Sequence, residues 1–340
     1  MLSNRKFQNQ ARKGWTILVG VAVISLLLSG CNGAQTPKVF RVGIINSNAS
    51  FAPIADGFKA KMTELGYVEN KNIIYTVQVT QPTPDDRQLQ IKNLVDSKVD
   101  LIFVSGSPDA VAAQAGTQGT NVPVVFAYGQ TEGTNLVKSV KEPGGNMTGV
   151  RYPGPEMISK RLEVLHEIAP QIKRVWIGYN KAGPNTPTAL DALRPAAASM
   201  GITLIEVPAT KAEELGADLA ARAKSADLGL DAILTMPDEF NTSTTSFAVL
   251  SKFATEHKIP VAGGIAFMAQ QGALFVNSTD LANVGALTAP LADKIFKGTT
   301  VGTIPVVTPE QNLMINYKVA QLLGLTVPDG LLSQASQIIR

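Results

Sequence analysis

Side chains suited to covalent chemistry are few in this 340-residue sequence, and their spacing does not support it. There are two histidines and one cysteine. His166 lies inside the helical run LEVLHEIAP, and His257 ends another helical pattern just before Ile259-Pro260, so both read as structural or solvated. No His or Cys cluster has the spacing of a metal site. No G-x-G-x-x-G follows the first strand pattern and no Walker-type lysine loop occurs, so no cofactor is expected. Ser105-Gly106-Ser107 lacks the G-x-S-x-G frame of a nucleophile elbow. The residues point to binding without turnover rather than to an enzyme.

The polar residues that could hold a ligand fall at the ends of apolar runs. In the first half these are Asn46-Ser47, Ser105-Gly106-Ser107 and, beyond Tyr128, Gln130. In the second half they are Asn185-Thr186, Asp238 and Gly264. Ligands of open α/β sheets sit at the carboxyl ends of strands, where helix N-termini offer free N–H groups and partial positive charge. A carboxylate suits the helix start at Ser107-Pro108, read here as an N-cap with proline at the first helical position. Asp238 has two readings: partner for a ligand ammonium, or N-cap of the next helix. A zwitterion would satisfy both ends.

The elements that position these residues alternate. Strands are predicted over 38–45, 72–79, 101–104 and 122–127, with helices over 52–65 and 84–97 between them. The series restarts with a helix over 155–169 and a strand over 174–179, and later brings a strand over 273–276 and a helix over 281–296. Such alternation implies parallel sheets with right-handed crossovers. Landmarks repeat in order: Leu65-Gly66 and Met200-Gly201, Asp100 and Asp231, Pro123 and Pro260. The near-constant offset suggests two lobes of one architecture. The Gly- and Pro-rich stretch from Lys141 to Tyr152 reads as the seam between them.

Composition agrees. Hydrophobic residues make up 45% and aromatics only 6%, as aliphatic parallel sheets require. The formal charge of +3 comes from Arg5, Lys6, Arg12 and Lys13; the rest carries 26 basic and 27 acidic residues, so nothing suggests a nucleic-acid partner. Those four charges precede an apolar run from Trp15 to Leu28, the layout of a signal peptide. Leu28-Ser29-Gly30-Cys31 resembles a bacterial lipobox, in which the chain is cut before a cysteine that is then diacylated. Cys31 is the only cysteine, so no internal disulfide forms. The expected division is a signal peptide over 1–30, a tether over 31–37, a first lobe over 38–147 with about 278–300, and a second over 148–277 with about 301–340.

The chain from residue 38 onward resembles the bacterial ABC transporter substrate-binding lipoproteins that include tryptophan- and phenylalanine-binding members. The pieces that carry the resemblance are DGFKAKMTELGYVENKNI (56–73), VDLIFVSGSPDA (99–110), NVPVVFAYGQ (121–130), PGGNMTGV (143–150), LEVLHEIAPQIKRV (162–175), MPDEFN (236–241) and LLGLTVPDGLL (322–332). The resemblance implies a periplasmic binding protein type I fold, with two Rossmann-like lobes joined by a three-segment hinge. It implies closure on a small ligand and delivery to an ABC permease. Ser105 and Ser107 match the family's carboxylate-binding loop, Asp238 its amine-binding acid, and Asn185 and Thr186 the loop beside it. Family members often carry Asp-Pro after the fourth strand, whereas this chain has Gln130-Thr131.

The expected ligand is an apolar or aromatic amino acid, walled by Phe51, Tyr128 and Phe240, each of which could equally be core. A sugar or nucleoside ligand, and a sensor that reports to a receptor, remain open. The hinge crossings are expected over 143–150, 264–276 and 297–305. A monomer, lipid-anchored outside the cytoplasmic membrane, completes the expectation.

Overall fold

A computed structural model describes residues 38–79 and 83–340. The expected signal peptide, tether and lipidated Cys31 lie outside the described residues. The chain divides between Val39 and Phe40, and the fold is that of Phe40–Arg340.

The first lobe is a five-stranded, wholly parallel sheet in the order β2-β1-β3-β4-β5. Its elements are β1 (Phe40–Asn46), α1 (Ala52–Glu64), β2 (Ile73–Val79), α2 (Pro84–Asp96), β3 (Leu101–Ser105), α3 (Ser107–Gly116), β4 (Val124–Gly129) and β5 (Met147–Arg151). α1 forms because Ile54, Phe58 and Met62 recur on one face, which is buried against the sheet. Phe58 stacks on Phe103 of β3 at 4.4 Å.

The second lobe is a seven-stranded sheet in the order β12-β11-β10-β9-β8-β6-β7, parallel except between β10 and β11. It is built from α4 (Gly154–Ile168), β6 (Arg174–Asn180), α5 (Thr186–Ser199), β7 (Thr203–Ala209), α6 (Ala212–Arg222) and β8 (Ala232–Leu234). Then come α7 (Glu239–Thr242), α8 (Thr244–His257), β9 (Val261–Gly263), α9 (Phe267–Gln270) and β10 (Phe275–Ser278). After α10 (Leu281–Phe296) the lobe is completed by β11 (Asn312–Asn316), α11 (Tyr317–Leu322), α12 (Asp329–Gln334) and β12 (Ala335–Ile339).

α10 belongs to the first lobe, packed on α1. The two helices meet backbone to backbone through glycine. A Cβ at Gly57 would lie 2.0 Å from the Ala282 carbonyl oxygen, and one at Gly285 would lie 1.9 Å from that of Ile54. The chain therefore passes between lobes three times: after β5 at Tyr152–Pro153, after β10 at Thr279–Asp280, and before β11 at about 308–311. The third passage runs beside β5, where the Arg151 N–H donates to Val307 O and the Val307 N–H to Gly149 O.

Three expectations change here. The crossing expected over 297–305 comes later, because Gly302, Val306 and Val307 are bonded to Gly144, Val140 and Gly149 of the first lobe. The seam at Lys141–Tyr152 is a turn only in its first half, where Gly144 and Gly145 have φ of 66° and 60°. Its second half is the edge strand β5, so residues 148–151 sit with the first lobe. Gly149 permits this, because a Cβ there would lie 1.9 Å from Phe126 O on β4. The stretch 264–276 crosses nothing, since β9, α9 and β10 all stay with the second sheet. There the connection is a short helix on the same sheet rather than a link between lobes.

Candidate functional site

Both sheets reverse their strand order next to their first strand, between β1 and β3 in one lobe and between β6 and β8 in the other. These are the switch points where loops part and leave a crevice. The two crevices face each other across a cavity of about 720 Å³. Of the residues expected to bind, Ser47, Ser105, Gly106, Ser107, Tyr128, Asn185, Asp238 and Gly264 line it. Asn46, Gln130 and Thr186 do not, and each bonds a protein partner. Asn46 Oδ1 accepts from the Asn48 N–H at 3.1 Å. Gln130 Nε2 donates to Glu132 O and Thr188 Oγ1. Thr186 Oγ1 donates to Asn180 O at 2.8 Å.

In the first lobe the loop after β3 is shaped by Gly106. Its φ of +89° and the Phe51 ring, 2.9 Å from where a Cβ would stand, both require glycine. Gly106, not Ser107, caps α3, and Ser107 is the first helical residue. Ser107 Oγ accepts from the Gln130 N–H at 2.9 Å. Ser105 Oγ is buried without a hydrogen-bond partner. Tyr128 occupies the left-handed region at φ 62°, at a break in the β4–β5 register between Ala127 and Gly129. Bulges of this kind re-aim a side chain at a site. Its ring meets Phe51 edge-on at 5.8 Å and Tyr152 at 4.7 Å, so an aromatic wall flanks the cavity.

The two lobes repeat one device at the switch point. In the first, Asp109 of α3 accepts from the Ser47 N–H at 3.0 Å, and from Ser47 Oγ at 2.6 Å. Burial pushes the Asp109 carboxyl up, against the Ser47 bonds and the Arg87 guanidinium. In the second, Asp238 Oδ2 accepts from the Asn180 N–H at 3.1 Å. Asp238 Oδ1 accepts from the N–H groups of Phe240 and Asn241 and from Asn241 Nδ2. Asp238 thus caps α7. Unlike Asp109, it has no cation within ion-pair distance among the described residues. Burial raises its pKa to about 6, against the bonds from Asn241, Asn180 and Phe240. Beside it Asn185 Nδ2 donates to Pro237 O at 3.0 Å, and Asn185 Oδ1 is buried unpartnered.

Three charged side chains at the cavity were not singled out in the sequence. Arg87 of α2 donates to Asp109 at 2.9 Å and reaches Glu239 of the other lobe at 2.7 Å. Arg161 of α4 is 1% exposed, and its guanidinium lies against Gly264, about 2.9 Å from where a Cβ would stand. One signal was present: Arg161 falls on the stripe Met157, Ile158, Leu162 and Leu165, so a cation occupies the buried face of an amphipathic helix. The lobes also meet where Asn48 Nδ2 donates to Thr242 Oγ1 at 2.9 Å and where Gln130 reaches Thr188. With the Arg87–Glu239 pair these contacts bridge the lobes beside the cavity.

Known proteins share this fold. The Tyrosine-binding protein of Clostridioides difficile (strain R20291) is 27% identical over 326 residues, 91% of each chain. The crystal structure of the ABC domain in complex with L-Trp from Streptococcus pneumonia has a TM-score of 0.80 at 24% identity, covering 89% of this chain and 100% of that one. The ligand-free, open structure of a substrate binding protein with adhesive properties from Clostridium difficile scores 0.65 at 26% identity, covering 88% and 99%. The family model described as ABC transporter substrate binding protein matches residues 41–339, and the chain belongs to that family.

Proposed function

We propose that this protein captures a single L-amino acid with an apolar or aromatic side chain, closes on it, and hands it to the permease of an ABC importer without chemical change. The observation that carries the reading is Asp238, a buried carboxylate that lines the cavity and has no cationic partner among the described residues. A ligand ammonium supplies that partner, since a buried charge needs one. Ser105, Gly106 and Ser107 form the first lobe's polar contacts, and Asn185 adds its unpartnered oxygen from the second. Phe51, Tyr128, Tyr152 and Phe240 offer flat apolar faces to the side chain. The tyrosine-binding relative supports an aromatic amino acid.

The lipobox at Leu28–Cys31 supports an anchored protein, held outside the cytoplasmic membrane through diacylated Cys31. Two acyl chains hold a protein stably where one is marginal. Among the described residues no helix is long and apolar enough to cross a membrane.

Mass spectrometry of the ligand released from purified protein tests the proposal. An amino acid is expected; a sugar or nucleoside contradicts it.

A further inference from the structure

We propose that Arg161 is the cation that receives the ligand's carboxylate. The inference rests on the amino-acid reading above and assigns the second charge of the zwitterion.

Arg161 is 1% exposed and lines the cavity. Its Nη1 donates to Thr235 O at 2.9 Å, its Nε to Asn277 O at 3.3 Å, and its Nη2 to Tyr152 Oη at 3.3 Å. All three acceptors are neutral, and no acid stands within ion-pair distance among the described residues. A guanidinium has five N–H groups in a planar fork. Three are used, and the free ones suit a carboxylate. A guanidinium stays charged when buried, so an absent counter-ion leaves a cost that a bound anion removes.

The other positive groups at the cavity are engaged or exposed. Arg87 is held by Asp109 and Glu239. Lys211 is exposed at the rim. The N-terminus of α3, the carboxylate site expected from the sequence, already has the acidic Asp109 in its first turn, and Ser107 Oγ accepts from the Gln130 N–H. Arg161 and Asp238 are then the two buried, oppositely charged side chains lining one cavity without an ionic partner among the described residues. One zwitterion pairs both.

The alternative is that Arg161 only pins the ends of β8 and β10 through Thr235 and Asn277. A charge-sensitive readout separates the two. L-Tyrosine, L-tryptophan and L-phenylalanine are titrated against their carboxamides, which keep the ammonium and side chain but lose the carboxylate. The native protein is expected to prefer the acid over its amide by roughly 30-fold or more, as for a buried charge pair. In Arg161→Gln the ratio is expected to collapse toward one, and Arg161→Lys is expected to restore part of it. A merely structural role lowers both affinities together and leaves the ratio unchanged, which overturns the proposal and returns the carboxylate to α3. If Arg161→Gln does not fold, the native ratio and Arg161→Lys still decide, since equal native affinities for acid and amide also overturn it. Failure of the native protein to bind any of the three amino acids defeats the amino-acid reading itself.

Discussion

Arg87 of the first lobe and Glu239 of the second meet at 2.7 Å, and Arg87 is already held in place by Asp109 at 2.9 Å. The arginine is therefore preset within its own lobe, and the glutamate reaches it from the other. Glu239→Gln removes the charge while keeping the shape. With the Glu239 side chain 26% exposed, the pair contributes on the order of 1 kcal/mol after solvent screening. Ligand affinity is expected to fall about three- to tenfold, mostly through faster release. Stopped-flow release rates check this, and an unchanged rate removes the pair from the closing mechanism.

Arg87→Ala is a different case, because it strands Asp109, whose side chain is fully buried. Losing one partner of a buried pair costs about 3–5 kcal/mol. Urea unfolding is expected to show a loss of that size, with a much smaller loss in Glu239→Gln. Equal losses in the two variants contradict the division of roles.

Asp238 makes the protein pH-sensitive near its pKa of about 6. Only the ionised carboxylate pairs with an ammonium, so affinity scales with the ionised fraction, which drops about tenfold between pH 7 and pH 5. The stability of the closed, unliganded form runs the other way. Its folded pKa is raised, so the folded state holds the proton more tightly than the unfolded chain. The group therefore stabilises the fold below about pH 4, and that contribution is lost as pH rises to about 6. Titration calorimetry across this range is expected to show the affinity loss in the native protein. A pH-independent affinity removes Asp238 from the ligand's charge partners.

Cys31→Ser is expected to abolish metabolic labelling with fatty acid and release the protein from membranes, while amino-acid binding stays unchanged. Continued acylation of the variant contradicts anchoring at Cys31.

Much of the fold was legible because it depends on local pattern. The helix expected over 281–296 is α10, and the first lobe's strands fall within a few residues of their expected positions. β5 was hidden because its five residues follow a glycine turn, and Gly149 reads as a breaker until Phe126 O is seen against it. Asp238 was legible as a helix cap at the end of an apolar run. The cap is present at Phe240 and Asn241, and the same carboxylate faces the cavity. Arg87 and Glu239 were not, since they are 152 positions apart and meet only when two separately folded sheets close. Arg161 went unread because a charge in a helix normally marks the solvent face, whereas here strand-end carbonyls solvate it.

The central claim is that a buried Asp238 meets the ammonium of an amino acid. Titration calorimetry of L-tyrosine, L-tryptophan and L-phenylalanine against native protein and Asp238→Asn tests it most directly. Asparagine caps a helix about as well as aspartate, so α7 is expected to stay in place. Removing one partner of a buried charge pair costs about 2–5 kcal/mol, so the variant is expected to bind more than tenfold more weakly. Equal affinity in the two proteins, or no amino-acid binding by the native protein, contradicts the claim.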